Sequence, residues 1–87
     1  MAVYGGDLAQ LEALSRRFMT EIDAVDGLRS RISGVLDGTA WTGPAAERFR
    51  SQWTQDFVPA LQRLKDALSE GSAVVTDRRT AIEMATR

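Results

Sequence analysis

The sequence predicts an all-α protein, an antiparallel helical hairpin of two long helices that dimerises into a four-helix bundle. Three observations carry that expectation. Apolar residues recur at three- and four-residue spacing on both sides of the centre of the chain, the signature of amphipathic helices. Between the two periodic stretches lie Gly34, Gly38, Gly43 and Pro44, and a helix arriving from upstream cannot run through a proline without losing a hydrogen bond. The apolar stripes are also broader than one neighbouring helix can cover.

Composition limits what such a chain can do. Its 87 residues make a single domain, 1–87, of a size that buries only about 60–65% of its unfolded surface. It contains no Cys and no His, which removes disulfides, thiol chemistry and the commonest metal ligands and general bases. Eleven basic and twelve acidic side chains nearly cancel, so no global field draws nucleic acid or an anionic membrane. No apolar run approaches the roughly 20 residues that span a bilayer. Residues 1–6, which include Tyr4, read as a frayed lead-in without the basic and apolar regions of a cleavable signal peptide.

Asp7 followed by Gln10 resembles a capping box and starts the first helix, about 8–37. Its stripe is Leu8, Leu11, Leu14, Phe18, Ile22, Val25, Leu28, Ile32 and Val35. Leu28 and Val35 fall to one side of the Leu11–Phe18–Ile22–Leu36 row and Leu8 and Met19 to the other, an arc of about 200° against roughly 100° for a helix facing one core. Gly38 is the expected C′ residue ending this helix, and residues 38–43 form the turn. Thr42 or Gly43 is the expected N-cap ahead of Pro44, since proline suits the first turn of a helix.

The second helix, about 44–84, carries Ala46, Phe49, Trp53, Phe57, Ala60, Leu64, Leu68, Gly71, Val75 and Ile82. Val58 lies off this face and is expected to be exposed. Pro59 should kink the axis, but the apolar register stays in phase across it, so one helix is expected throughout. Gly71 lies on the stripe, where it would permit close approach by another helix. Arg29, Glu21 and Arg78 fall in or beside the stripes and each needs an opposite charge or an interface rim. From these patterns the expected dimer or bundle interface comprises Leu11, Phe18, Ile22, Val25, Ile32, Phe49, Trp53, Phe57, Leu64 and Leu68.

The sequence Trp41-Thr42-Gly43 at the bend, followed by Pro44, Ala45, Ala46, Phe49 and Trp53, resembles the WXG-motif family of small type VII secretion substrates, the ESAT-like or Esx proteins. The resemblance covers the whole chain. It implies a non-enzymatic, secreted protein without cofactors, acting as one subunit of a WXG-type dimer and exported folded by a membrane ATPase-driven apparatus. It assigns Trp41, Thr42 and Gly43 to the turn and Trp41 to a composite surface read by the export machinery.

Exported dimers of that family usually carry, after the second helix of one partner, a tyrosine followed four positions later by an acid. Here the single tyrosine is Tyr4, with Leu8 four positions on. A looser pattern is met only poorly by Ala73, Asp77, Thr80 and Met84. In a head-to-tail bundle Trp41 would lie beside its partner's C-terminal segment, so a heterodimer whose partner supplies the signal is favoured over a homodimer. The competing expectation is a cytoplasmic helical adaptor that is never exported. For Trp41 itself the simpler role is a hydrophobic plug closing the bundle end. The glycines of residues 34–43 lack the Lys-Ser/Thr and flanking strand of a phosphate loop. The short pairs Arg16-Arg17 and Arg78-Arg79 lack the interleaved aromatics of a nucleic-acid surface.

Overall fold

The computed structural model describes residues 7–85. Helix α1 spans Leu8–Gly38, α2 spans Pro44–Gln52, a π turn covers Trp53–Phe57, and α3 spans Val58–Ala85. The last three run on without a break, so the fold is the expected two-rod hairpin. Residues 1–6, including Tyr4, lie outside the described residues.

The start of α1 follows the expected capping. The backbone N–H of Gln10 donates to the Asp7 carboxylate at 3.0 Å, with Asp7 itself in an extended conformation. That satisfies one of the donors every helix leaves open at its first turn. At the bend the caps differ from expectation in one respect. Gly38 is the last helical residue rather than C′, and Thr39 continues in an extended conformation. Two of the open carbonyls at this end are taken by side chains instead, that of Leu36 by an arginine from α2 and that of Val35 by the Thr39 hydroxyl. The N-cap of α2 is Gly43, with φ 112° and ψ 174°, and Pro44 occupies the first turn.

The rods pack through a seam with alternating steps of three and four residues, the 3.5-residue period of a coiled coil. From α1 it takes Leu8, Leu11, Ser15, Phe18, Ile22, Val25, Ile32 and Leu36, all half-buried, with the exposed Arg29 at the step between Val25 and Ile32. From α3 it takes Val58, Leu61, Lys65, Leu68, Ser72, Val75, Arg79 and Ile82. Polar seam members find partners. Ser15 and Ser72 share a hydrogen bond of 2.8 Å, and Lys65 Nζ meets the Asp26 carboxylate at 2.6 Å. A Cβ at Gly71 would lie 3.1 Å from the edge of the Phe18 ring, so the glycine makes room for that ring.

The π turn corrects the reading of the second rod. The Val58 N–H reaches back five residues to the Trp53 carbonyl, which inserts one extra residue into the helix. Pro59 explains its position: the ring has no N–H for the carbonyl of Gln55 and would press on it in a regular helix. The disruption expected at Pro59 is therefore a wide turn just upstream, and the apolar register does not stay in phase. From Trp53 the seam steps five residues to Val58. Val58 is half-buried, not exposed, and Phe57, expected in the stripe, is pushed out to 41% exposure.

The molecule measures 64 × 17 × 15 Å, and its 19.2 Å radius of gyration compares with about 12 Å for a compact domain of this length. Among the described residues only Ala46, Ser72 and Ile82 are buried. A pair of rods this slender has almost no interior.

Candidate protein interface at the bend

The link between the rods, residues 39–43, is held by Arg50, one and a half turns into α2. Its Nη2 donates to the carbonyls of Leu36 and Thr39, both at 3.1 Å, and its Nη1 donates to the carbonyl of Trp41 at 2.6 Å. The end of α1 presents carbonyls without helical partners, and its dipole is negative there. A guanidinium, planar and many-donored, suits that end better than any other side chain. Thr39 adds a hydroxyl bond to the Val35 carbonyl.

Trp41 stands on this link, 41% exposed. Its backbone N–H donates to the Thr39 carbonyl at 2.8 Å. Its ring lies against the Arg50 guanidinium, 5.8 Å from carbon to centroid, and tilts against Phe49 at 6.1 Å. Phe49 meets Phe57 at 6.1 Å and Phe57 meets Trp53 at 6.3 Å, both within the range in which aromatic pairs attract. Trp53 faces inward, its indole N–H donating to the Ser33 hydroxyl at 2.9 Å.

Beside the seam a second apolar row runs on one face. In α1 it holds Leu14, Leu28 and Val35, with Glu21 completing a series spaced in sevens; Leu14 and Val35 stand one step before the seam residues Ser15 and Leu36, and Leu28 one step before the exposed Arg29. The second rod supplies Phe49, Phe57 and Leu64 in the equivalent place, and all six apolar members are exposed. In an antiparallel pair, positions one step before the seam on each helix fall on the same side of the hairpin. The opposite side is polar apart from Met19, 52% exposed: Arg79 meets Glu12 at 3.7 Å, Lys65 meets Asp26 at 2.6 Å, and Ser15 bonds Thr76 at 3.2 Å. The hairpin thus has one apolar face and one charged face, and Trp41, Phe49 and Phe57 form the aromatic end of the former.

The structure separates the residues expected at the interface into two groups. Leu11, Phe18, Ile22, Val25, Ile32, Trp53 and Leu68 line the seam of the hairpin itself, whereas Phe49, Phe57 and Leu64 stand in the exposed row. Thr42 is exposed and Gly43, not Thr42, caps α2. Of the charges noted on the stripes, Glu21 pairs with Arg17 at 2.9 Å, while Arg29 and Arg78 are exposed. Arg50 was not visible as a site residue. The signal available was its place on the face of Ala46 and Trp53, where an arginine needs unusual partners.

Among the described residues no group of three or more acidic, His or Cys side chains converges to hold a metal ion, and no helix is long and apolar enough to cross a membrane. No protein-family model, curated protein or solved structure matches the chain.

Proposed function

We propose that this chain is one subunit of a WXG-type dimer, exported by a type VII secretion system and acting through protein contacts rather than catalysis. The observation that carries the reading is Trp41-Thr42-Gly43 at the bend of a helical hairpin, with the Trp41 ring held half open to solvent. The exposed row of Leu28, Val35, Phe49, Phe57 and Leu64 supports a second helical hairpin as the partner. That partner is a related chain, and Trp41 and the partner's C-terminal segment complete one surface for the export ATPase.

The test is secretion. In cells with an intact type VII ATPase and a related partner chain, the protein accumulates in the culture filtrate; removing either the ATPase or the partner abolishes this. Trp41→Ala keeps far-UV helicity and assembly while lowering secretion. Retention in the cell with normal assembly and an active ATPase would overturn export and leave the role of a cytoplasmic adaptor. Normal export without any related chain would overturn the dependence on a partner.

A further inference from the structure

We propose that Arg50 is the positioning residue of this site, fixing the pose in which Trp41 is presented. That Trp41 is read at all rests on the function proposed above; that Arg50 holds it does not. Trp41 sits in a link with no helical hydrogen bonds of its own, where a large side chain on free backbone would sample many directions. Both ends of its residue nevertheless lead back to one guanidinium. The Trp41 carbonyl accepts directly from Nη1 at 2.6 Å. The Trp41 N–H donates to the Thr39 carbonyl, which itself accepts from Nη2 at 3.1 Å. The same guanidinium lies against the indole ring at 5.8 Å, a cation–π contact. The neighbouring Phe49 backs the ring from the same turn of α2.

Only arginine can make this set of contacts. Two nitrogens of a rigid fork serve three carbonyls while the group also contacts an aromatic ring; a lysine ammonium is a compact point charge without that geometry. Arg50 also joins α1 to α2 through the Leu36 carbonyl, so the ring is referenced to both rods and not merely to a loop. The chemistry points to a recognition surface whose orientation is set by the hairpin itself.

The experiment uses the full chain with Trp53→Phe, which leaves Trp41 as the sole fluorophore of its kind, and compares Arg50, Arg50→Lys and Arg50→Met. Lysine keeps the charge and methionine keeps the apolar stem. Both variants are expected to retain helicity and assembly, while Trp41 anisotropy falls and acrylamide quenching rises toward that of a free indole. Secretion of both variants, measured with the native Trp53, should fall to the level of Trp41→Ala. Unchanged quenching and anisotropy in both variants would overturn the proposal. Loss of helicity in step with release of Trp41 would also overturn it, by making Arg50 a structural clamp only. Normal secretion with a loosened Trp41, where Trp41→Ala is not secreted, would show that the pose is not what is read. If Trp41→Ala is itself secreted normally, the recognition role of Trp41 fails, and the fluorescence alone decides whether Arg50 holds the ring.

Discussion

At the level of single residues, Gly43 gives the Trp-Thr-Gly sequence a backbone reason to end in glycine. Its φ of 112° with ψ of 174° lies in a region open essentially to glycine alone. A Cβ there would meet nothing within 4 Å, so the cost of a side chain is conformational and not steric. Gly43→Ala is expected to destabilise the hairpin by about 1–3 kcal/mol. Gly34 is the natural control, being inside α1 at a negative φ with open space around its Cβ position. There alanine should stabilise by roughly 0.5–1 kcal/mol, since it removes only the entropy of an unneeded glycine. Denaturant titrations of the two variants should move in opposite directions. If Gly43→Ala is neutral, the backbone at the bend is not constrained as described. Trp41 differs from both, because its ring is 41% exposed and rests on Arg50 and Phe49 rather than in a core.

At the level of elements, the π turn is an inserted residue whose cost can be removed. The seam needs Trp53 and Val58 on the same face, and the wide turn between them spans one residue more than a regular helix would use. Deleting Gln55, which is exposed, together with Pro59→Ala, restores ordinary spacing and a backbone donor while leaving both seam residues in place. The double change should raise stability by about 1–3 kcal/mol, given what proline costs inside a helix. A lower melting temperature would mean that the turn is not a simple insertion. This element also marks where sequence reasoning reached its limit. The hairpin, the start of α1 at Leu8 and the proline start of α2 were legible, because periodicity and capping are local. Phe49, Trp53, Phe57, Ala60 and Leu64 form a regular helical stripe on their own, so periodicity gave no sign that Phe57 and Val58 exchange places. The excess width of the stripes was legible too. Its division into an inner seam and an exposed row was not, because that depends on where the other rod lies. Ser15, Arg50, Lys65, Ser72 and Arg79 occupy seam positions with polar side chains, which an apolar pattern passes over.

For the whole molecule, the exposed row decides whether the chain is complete on its own. Leu28, Val35, Trp41, Phe49, Phe57 and Leu64 are between 36% and 63% exposed. Covering what remains open would yield on the order of 5 kcal/mol in sum, at about 1.5–3 kcal/mol for each fully buried side chain. Small domains have total stabilities of roughly 5–15 kcal/mol, so a term of that size separates a marginal hairpin from a firm bundle. The row lies on one face only, and the other face carries the Glu12–Arg79 and Asp26–Lys65 pairs, which would lose solvation in an interface. Assembly should therefore use the apolar face alone. Three aspartate substitutions separate the possibilities. Leu64→Asp places a charge in the row without touching the seam, and should abolish assembly while helicity becomes independent of concentration. Ser69→Asp places the same charge on the polar side, where Ser69 is exposed, and should leave assembly unchanged. Phe18→Asp strikes the seam where the ring meets Gly71, and should unfold the hairpin with or without a partner, because the charge has no counterion there. Equilibrium sedimentation together with far-UV circular dichroism reads all three. The outcome that refutes the apolar face is equal loss of assembly in Leu64→Asp and Ser69→Asp, or a wild-type chain that melts cooperatively as a monomer both alone and with its partner present.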